Sequence, residues 1–305
     1  AVPLFTDYAT KYRFVFVPDT ETATYDANEV FDFPVGTVLV KTFTLPLDTS
    51  EREIAKEEII ETRLLINRVT GWESLPYIWN ADKSDAELDL IGSTQSVTIM
   101  HNESDLDFDY GVPTRQQCIK CHQIESEGSS VISPIGPKAR YLNSDYDYEG
   151  GTQNQIAKWT EAGILTGVPA SASDITSIPN FTDSTNLNTL TPNELEDMAA
   201  AWLDINCAHC HREGADAGNT NFNAVYGFTG SLATCNQPIS YAGSGLSYII
   251  TPGDADSAIL LQRMRAVPDG KGDQMPPIGR DLAHTEGIDL VSAWIDSMTD
   301  AACSD

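Results

Sequence analysis

The sequence predicts a multidomain fold in which a mostly-β N-terminal module is followed by mostly-α domains. Short runs of β-branched and apolar residues, roughly ten residues apart and bounded by turn formers, predict strands in the first third of the chain. Two later stretches repeat apolar residues at three- and four-residue spacing, which predicts amphipathic helices. The 305 residues suffice for two or three packed units, which we place at 1–111, 112–188 and 189–305.

Four segments carry the strand prediction for the N-terminal module. The runs 36–45, 61–69 and 93–102 are rich in β-branched and apolar residues. The run 105–112 alternates acidic with apolar side chains, as a half-buried strand does. This spacing of short strands predicts a small sheet or barrel.

Helix signals begin after residue 112. Apolar residues share one helical face in 152–165, and the Ser-, Thr- and Pro-rich stretch 168–188 is typical of a linker. Thr191 is a good N-cap and Glu194 completes a capping box, so a helix should begin there. A second amphipathic helix is predicted over 284–298.

The charge of the chain limits its partners. Its 45 acidic and 18 basic residues give a net charge of −27. Such a charge argues against binding nucleic acid or an anionic membrane surface, and it serves either solubility or the steering of a basic protein partner. No apolar run reaches the ~20 residues that cross a bilayer, so no transmembrane segment is predicted.

Two Cys-x-x-Cys-His motifs carry the clearest chemical signal. One comprises Cys118, Cys121 and His122, and the other begins 89 residues later with Cys207, Cys210 and His211. This motif attaches haem c: the two thiols form thioethers with the vinyl groups, and the histidine becomes an iron ligand. Structural zinc sites instead pair two ligand clusters. The sequence therefore predicts two covalently bound haem c groups.

The second motif lies in the layout of a small, all-helical cytochrome c domain. A helix leads into the motif, and a long loop, a Met-Pro-Pro segment and a closing helix follow. His211 is the expected proximal ligand and Met275 the expected distal ligand. Met264 and Met298 fall on helical stripes, where core packing explains them better. Three nearby arginines are candidates for contacting the haem propionates: Arg263, Arg265 and Arg280.

The distal ligand of the first haem is open. His122 is the proximal ligand, and no methionine or histidine lies between it and Met198. Met100 and His101 end a predicted strand before the motif, and since adjacent strand residues face opposite sides, at most one would reach the iron. The other options are Met198, Lys138, Tyr141 or an open iron.

Three smaller features leave alternatives open. His209, inside the second motif, contacts the other haem or is exposed. The segment 145–151 has the acidic alternation of a calcium loop, but Ile156 stands where such a loop has glutamate. Cys235 and Cys303 are candidates for a disulfide in an oxidising compartment.

The chain resembles a family of secreted two-haem c-type cytochromes of Gram-negative bacteria. The resemblance rests on separated segments in one order, among them FDFPVGTVLVKTF, GWESLPYIWNADKSDA, QCIKCH, PIGPKARYLN, LDINCAHCH, ITPGDADSAILLQRM and MPPIGR. It implies export to the periplasm or beyond the cell, with the signal peptide absent from this chain. It also implies covalent haem attachment and electron transfer, with no known substrate.

Two functions follow as expectations. The first is electron transfer between haem c groups and a redox partner protein. The alternative is a two-haem peroxidase-like oxidoreductase whose first haem has an open iron, which would need a polar acid/base residue above it. A third interpretation makes the N-terminal β module a docking domain.

Overall fold

The structure is a computed structural model that describes residues 3–227, 235–238, 245–268 and 273–299. Of these residues, 31% lie in strands and 24% in helices. The predicted fold class, with mostly-α, cytochrome c-like haem domains after the β module, is therefore wrong. The described chain is mostly β, and its helices are short.

The strands of the described residues are β1 (Thr10–Phe16), β2 (Ala23–Thr24), β3 (Val38–Pro46), β4 (Glu57–Arg68), β5 (Gly71–Trp79), β6 (Ala86–Leu88), β7 (Ser93–His101), β8 (Ser104–Val112), β9 (Gln123–Ser126), β10 (Ser129–Ile132), β11 (Asp145–Tyr148), β12 (Gly151–Asn154) and β13 (Leu165–Thr166). The helices are α1 (Arg115–His122), α2 (Ala139–Leu142), α3 (Gln155–Glu161), α4 (Pro192–Cys207), α5 (Ile259–Arg265) and α6 (Thr285–Ser297). None of these six helices has both the length and the apolar character that crossing a bilayer requires.

An antiparallel sheet forms the N-terminal part of the molecule. Its five strands run in the order β1-β3-β4-β5-β6, and β7 and β8 form a separate hairpin. The four strand segments predicted from sequence are confirmed as β3, β4, β7 and β8. Phe43, Ile60, Ile99 and Tyr110 pack between the sheet and the hairpin and are almost fully buried. Burial of one strand face explains the alternating pattern of the sequence.

Local turn chemistry explains why the region after residue 112 is not mostly helical. Two hairpins, β9–β10 and β11–β12, lie within it. The predicted helix 152–165 begins as strand β12, because the Asn154 side chain caps the N–H groups of Ile156 and Ala157 and so starts the helix at residue 155. Gly163 then takes a positive φ of 71°, which ends the helical stretch early.

The two longest helices confirm the boundary signals read from the sequence. Thr191 and Glu194 form the expected capping box at the start of α4. Helix α6 packs closely on α4 because Gly287 has no side chain: a Cβ there would lie 2.5 Å from the Trp202 ring. Leu290 and Val291 complete the buried face of α6.

A buried carboxylate joins α2 to α4. Asp204, near the end of α4, accepts hydrogen bonds from Arg140 Nε at 2.7 Å and Nη2 at 2.9 Å. It also accepts from the Tyr141 hydroxyl at 2.7 Å and from the Tyr226 backbone N–H at 3.1 Å. Since α2 follows the first Cys-x-x-Cys-His motif and α4 leads into the second, Asp204 fixes one motif against the other.

Contacts cross the predicted domain boundaries. The Phe5 backbone N–H donates to Asn206 Oδ1 at 2.8 Å. Asp7 Oδ1 accepts from the backbone N–H groups of Asp281 and Leu282 at 2.8 and 2.7 Å, and burial raises the pKa of this carboxyl to about 6. The N-terminal segment therefore packs on the C-terminal part. The boundaries at 111 and 188 stay a prediction.

Replacing Asp204 should strongly destabilise the protein. Asp204→Ala leaves the buried Arg140 guanidinium without its partner, and losing one member of a buried pair costs about 3–5 kcal/mol. Urea unfolding followed by tryptophan fluorescence, to which the nearby Trp202 contributes, measures the change in the free energy of unfolding. The matched control is Asp256→Ala, which removes the ion pair with Arg265. Because the Asp256 side chain is 89% exposed, this substitution should change the free energy of unfolding little. Equal effects of the two substitutions would contradict this role.

Candidate functional site

Different local structures present the two motifs. The first occupies α1, where Thr114 and Gln117 form a capping box, and α1 packs against strand β5 of the sheet. The second begins at the last residue of α4, Cys207, and continues into a turn in which the His211 backbone N–H donates to the Cys207 carbonyl at 2.9 Å. The first motif therefore packs against the sheet, and the second continues directly from helix α4.

The motifs meet at their second cysteines. The ligand atoms of Cys121, His209 and Cys210 all lie within 4.8 Å of one another. A hydrogen bond with the Cys210 thiol, followed by burial, raises the pKa of Cys121. The same hydrogen bond lowers the pKa of Cys210. Two motifs 89 residues apart in sequence thus form one site.

His122 is held in the form that an iron ligand needs. Its Nδ1 lies 2.8 Å from the Ser133 carbonyl oxygen, so Nδ1 carries the proton and donates it, and Nε2 keeps a free lone pair. Burial lowers the pKa of His122 to about 4, which keeps the ring neutral at pH 7. The chain therefore fixes both the orientation and the tautomer of this histidine.

His211 is held by the Thr220 hydroxyl and also by a hydrogen bond to the Phe222 backbone. Its Nδ1 lies 3.1 Å from Thr220 Oγ1, and that hydroxyl donates to the Ala217 carbonyl at 2.8 Å. The ring also packs edge-on against Phe222, with ring centroids 5.1 Å apart. Burial lowers the pKa of His211 to about 4, so this ring too is neutral at pH 7.

A solvent-open cleft lies beside the first motif. Its empty volume, including the part open to solvent, is about 420 Å³. Cys121 and His122 line it on one side, and His209 from the second motif lines it as well. Its other walls include Lys138 and Tyr141, both named above as ligand candidates. A group attached at Cys121 would enter this cleft.

Met275 lines a second cleft of about 290 Å³ together with Trp202 and Met264. Its backbone N–H donates to the Arg263 carbonyl at 2.9 Å. His211 does not line this cleft. Met264 is 5% exposed in the helical core, as the sequence predicted. Met298 also packs against that core.

All three candidate propionate arginines contact other groups of the chain. Arg280 is buried, and its guanidinium donates to backbone carbonyls, including those of Met275 at 2.9 Å and Leu282 at 2.9 Å. It therefore holds the Met-Pro-Pro loop in place. Arg265 pairs with Asp256 at 3.0 Å on the surface. Arg263 Nε donates to the Asp273 carbonyl at 3.0 Å.

The structure places Met100 and His101 away from the cleft of the first motif. The side chain of Met100 is 43% exposed, and its backbone pairs with Leu47 and Thr49. His101 Nδ1 contacts Thr49 Oγ1 at 2.9 Å, and Nε2 contacts Glu286 Oε1 at 3.1 Å. Neither residue lines the cleft beside His122.

His101 belongs to a polar cluster that the sequence did not reveal. His284 Nε2 lies 3.1 Å from Asp183 Oδ1 and 3.7 Å from Glu286 Oε2, and the Tyr8 hydroxyl donates to Glu286 at 3.0 Å. The indole N–H of Trp202 donates to His284 Nδ1 at 3.3 Å. Nδ1 is therefore the acceptor and Nε2 holds the proton, which suits a hydrogen-bond network better than a metal ligand.

A row of cations crosses the sheet next to the first motif. Arg13 pairs with Lys41, and Lys41 pairs with Arg63, so the three side chains leave the same face on neighbouring strands. Burial first, and then Arg13 and Arg63, lower the pKa of Lys41. Lys41 and Arg63 also lower the pKa of His122, which places the row beside the motif. Like charges directly opposite each other repel, so this row is suited to an anion.

The remaining predicted features lie outside the site. The segment 145–151, compared above with a calcium loop, contributes to the hairpin β11–β12, where the Thr152 hydroxyl bonds Asp147. Cys235 is disulfide-bonded. Its expected partner, Cys303, lies outside the described residues.

Comparison with known proteins gives no relative. No protein-family model, no curated protein and no solved structure matches the chain. The functional argument therefore rests on the chain itself: on the residues of the two motifs, on their contact and on the groups that surround them.

The contact between the motifs predicts a specific disulfide. In the variant C118S/C207S, produced without haem so that its remaining thiols are free, each motif keeps only its second cysteine, and a diazene oxidant such as diamide should link Cys121 to Cys210. The oxidant accepts the two electrons and two protons that the thiols lose, and Cys210 supplies the thiolate because its pKa is lowered. Mass spectrometry of the digested protein detects the linked peptides. Triple variants with a further C121S or C210S are the controls, and failure to form the link would place the motifs apart.

Proposed function

We propose that this protein is a two-haem c-type cytochrome that transfers electrons in the periplasm or outside the cell. The observation that carries the proposal is the contact between two complete Cys-x-x-Cys-His motifs, each with a neutral, hydrogen-bonded histidine. Haem c bound at such motifs supplies a one-electron couple between ferric and ferrous iron. Every other part of the argument concerns what the chain provides.

The residues around the first motif suit haem. Cys118 and Cys121 supply the two thiols, and His122 has a lone pair free on Nε2 because its Nδ1 donates to Ser133. The cleft beside Cys121 offers room that opens to solvent. Arg13 and Lys41 of the cationic row can neutralise the two propionates, whereas Arg63 is already paired with Glu61.

The second motif has the corresponding parts. Cys207 and Cys210 supply the thiols, and His211 is oriented by Thr220. Met275 is the proposed distal ligand, and its loop is held in place by hydrogen bonds of the Met275 backbone to Arg263 and Arg280. Histidine–methionine ligation raises the reduction potential. The chain thus offers one site of comparatively high potential.

The setting of the two sites supports a carrier. Because Cys121 and Cys210 are in contact, the chain itself holds the two attachment sites side by side, which shortens the path for an electron. The net charge of −27 would steer a basic redox partner toward the surface. The disulfide at Cys235 fits an oxidising compartment.

Two rivals make different demands on the site. A structural zinc ion at Cys121, His209 and Cys210 would require a fourth ligand, and these three are the whole group among the described residues. A two-haem peroxidase requires an open iron with an acid/base residue above it. Two acid/base candidates line the first-motif cleft: Glu29, which pairs with Arg212 at 2.8 Å, and His209, so the peroxide experiment below must separate the two functions.

Counting the haems tests the proposal. The mature protein should contain two haem c groups per chain by the alkaline pyridine spectrum and by intact mass, and iron should exceed zinc in metal analysis. C118A/C121A and C207A/C210A should each lose one haem. A protein with stoichiometric zinc and no haem would overturn the proposal, and rapid oxidation of the reduced protein by peroxide would favour the peroxidase.

Met275 should control one of the two haem spectra. Met275→Ala is expected to abolish the histidine–methionine low-spin signal in electron paramagnetic resonance and to lower one of the two reduction potentials, because the thioether favours ferrous iron. Met264→Ala is the matched control, since Met264 lines the same cleft but packs in the core. Met264→Ala should lower the stability of the protein and retain the histidine–methionine signal. An unchanged spectrum in Met275→Ala would refute the ligand assignment.

A further inference from the structure

We propose that His209, from the second motif, is the sixth ligand of the iron attached at the first motif. This inference rests on the proposed function and supplies the ligand that the sequence left open. Under it, the first haem is ligated by His122 and His209, and the second by His211 and Met275. One five-residue segment, 207–211, then serves both irons.

The position of His209 carries the first part of the argument. It lines the cleft beside the first motif together with Cys121 and His122, although it belongs to the second motif. Its ligand atom lies within 4.8 Å of the Cys121 sulfur, which is the sulfur that would hold the haem edge. The imidazole is therefore within reach of a group bound at Cys121.

The unused hydrogen-bonding capacity of His209 carries the second part. Its Nδ1 is buried and has no hydrogen-bond partner, and the bond between the ring and the Cys121 thiol would be lost once that thiol becomes a thioether. Leaving a buried polar atom unpaired costs about 1–3 kcal/mol, so such an atom calls for a function. An iron bound in the adjacent cleft gives the ring a partner.

The other histidines are already engaged. The chain has five, and two of them, His122 and His211, are the proximal residues of the motifs. The ring nitrogens of His101 contact Thr49, Asn102 and Glu286. Those of His284 contact Trp202, Asp183 and Glu286. His209 is the histidine that remains.

Lys138 is the strongest rival within the cleft. Burial lowers its pKa to about 8, so an appreciable fraction would be neutral and able to ligate. However, its Nζ lies 3.6 Å from Glu29 Oε2, which favours the charged form. Tyr141 is excluded by its hydrogen bond to Asp204. A comparison of His209 with Lys138 therefore decides the ligand.

Spectra of the oxidised holoprotein test the assignment. The wild type should show two low-spin ferric signals in electron paramagnetic resonance and near-infrared magnetic circular dichroism, one bis-imidazole and one histidine–methionine. His209→Ala should keep two haems per chain by the pyridine assay, lose the bis-imidazole signal and gain one high-spin haem that binds carbon monoxide when reduced. Added imidazole should restore the lost signal. Lys138→Gln should leave both signals unchanged.

The outcomes separate this inference from the proposed function. A wild type without haem refutes the function, whereas a wild type with two haems and no bis-imidazole signal overturns only the ligand. If His209→Ala does not fold, His209→Met is the second variant, and it should replace the bis-imidazole signal with a second histidine–methionine signal. Loss of a signal in Lys138→Gln, or its survival in His209→Ala, would overturn the assignment.

Discussion

The buried carboxylate of Asp204 is the constraint on which the arrangement of the two motifs depends. It accepts four hydrogen bonds, three of them from Arg140 and Tyr141 of α2. A buried charge is tolerated only when its partners stay in place, so α2 cannot move away from α4 without exposing or orphaning it. Because Asp204 stands three residues before Cys207, this requirement reaches the second motif directly and, through α2, the first.

The net charge of the chain is opposite in sign to the charge of the side chains beside the first motif. The chain as a whole is strongly acidic, yet Arg13, Lys41 and Arg63 stand opposite one another on the sheet beside the first motif. Glu61 compensates part of this charge through its contact with Arg63 at 2.5 Å. Arg13 is exposed and Lys41 is partly buried, and an anion that lay against them would relieve the repulsion along the row. The acidic surface would favour a basic protein partner.

The sequence predicted local features well and long-range ones poorly. The capping box at Thr191 and strands such as β8 were predicted because neighbouring residues determine them. The mostly-α domains were predicted wrongly because the region after residue 112 forms the hairpins β9–β10 and β11–β12, and the helix expected over 152–165 is confined to Gln155–Glu161. The contact between Cys121 and Cys210 could not be predicted from neighbouring residues, because 89 residues separate the motifs. The position of His209 beside the first motif results from that contact.

A single segment that contributes to both irons would make them dependent on each other. If residues 207–211 supply two thiols and His211 to one haem and His209 to its neighbour, any displacement of the end of α4 changes the ligand field at both sites. Asp204 and its partners then do more than stabilise the fold, because they hold that end of the helix in place. The two sites would differ in potential, since methionine ligates one and histidine the other, while sharing one mechanical support. Unequal potentials at adjacent sites give the transfer of an electron a preferred direction, which a pair of identical sites would lack.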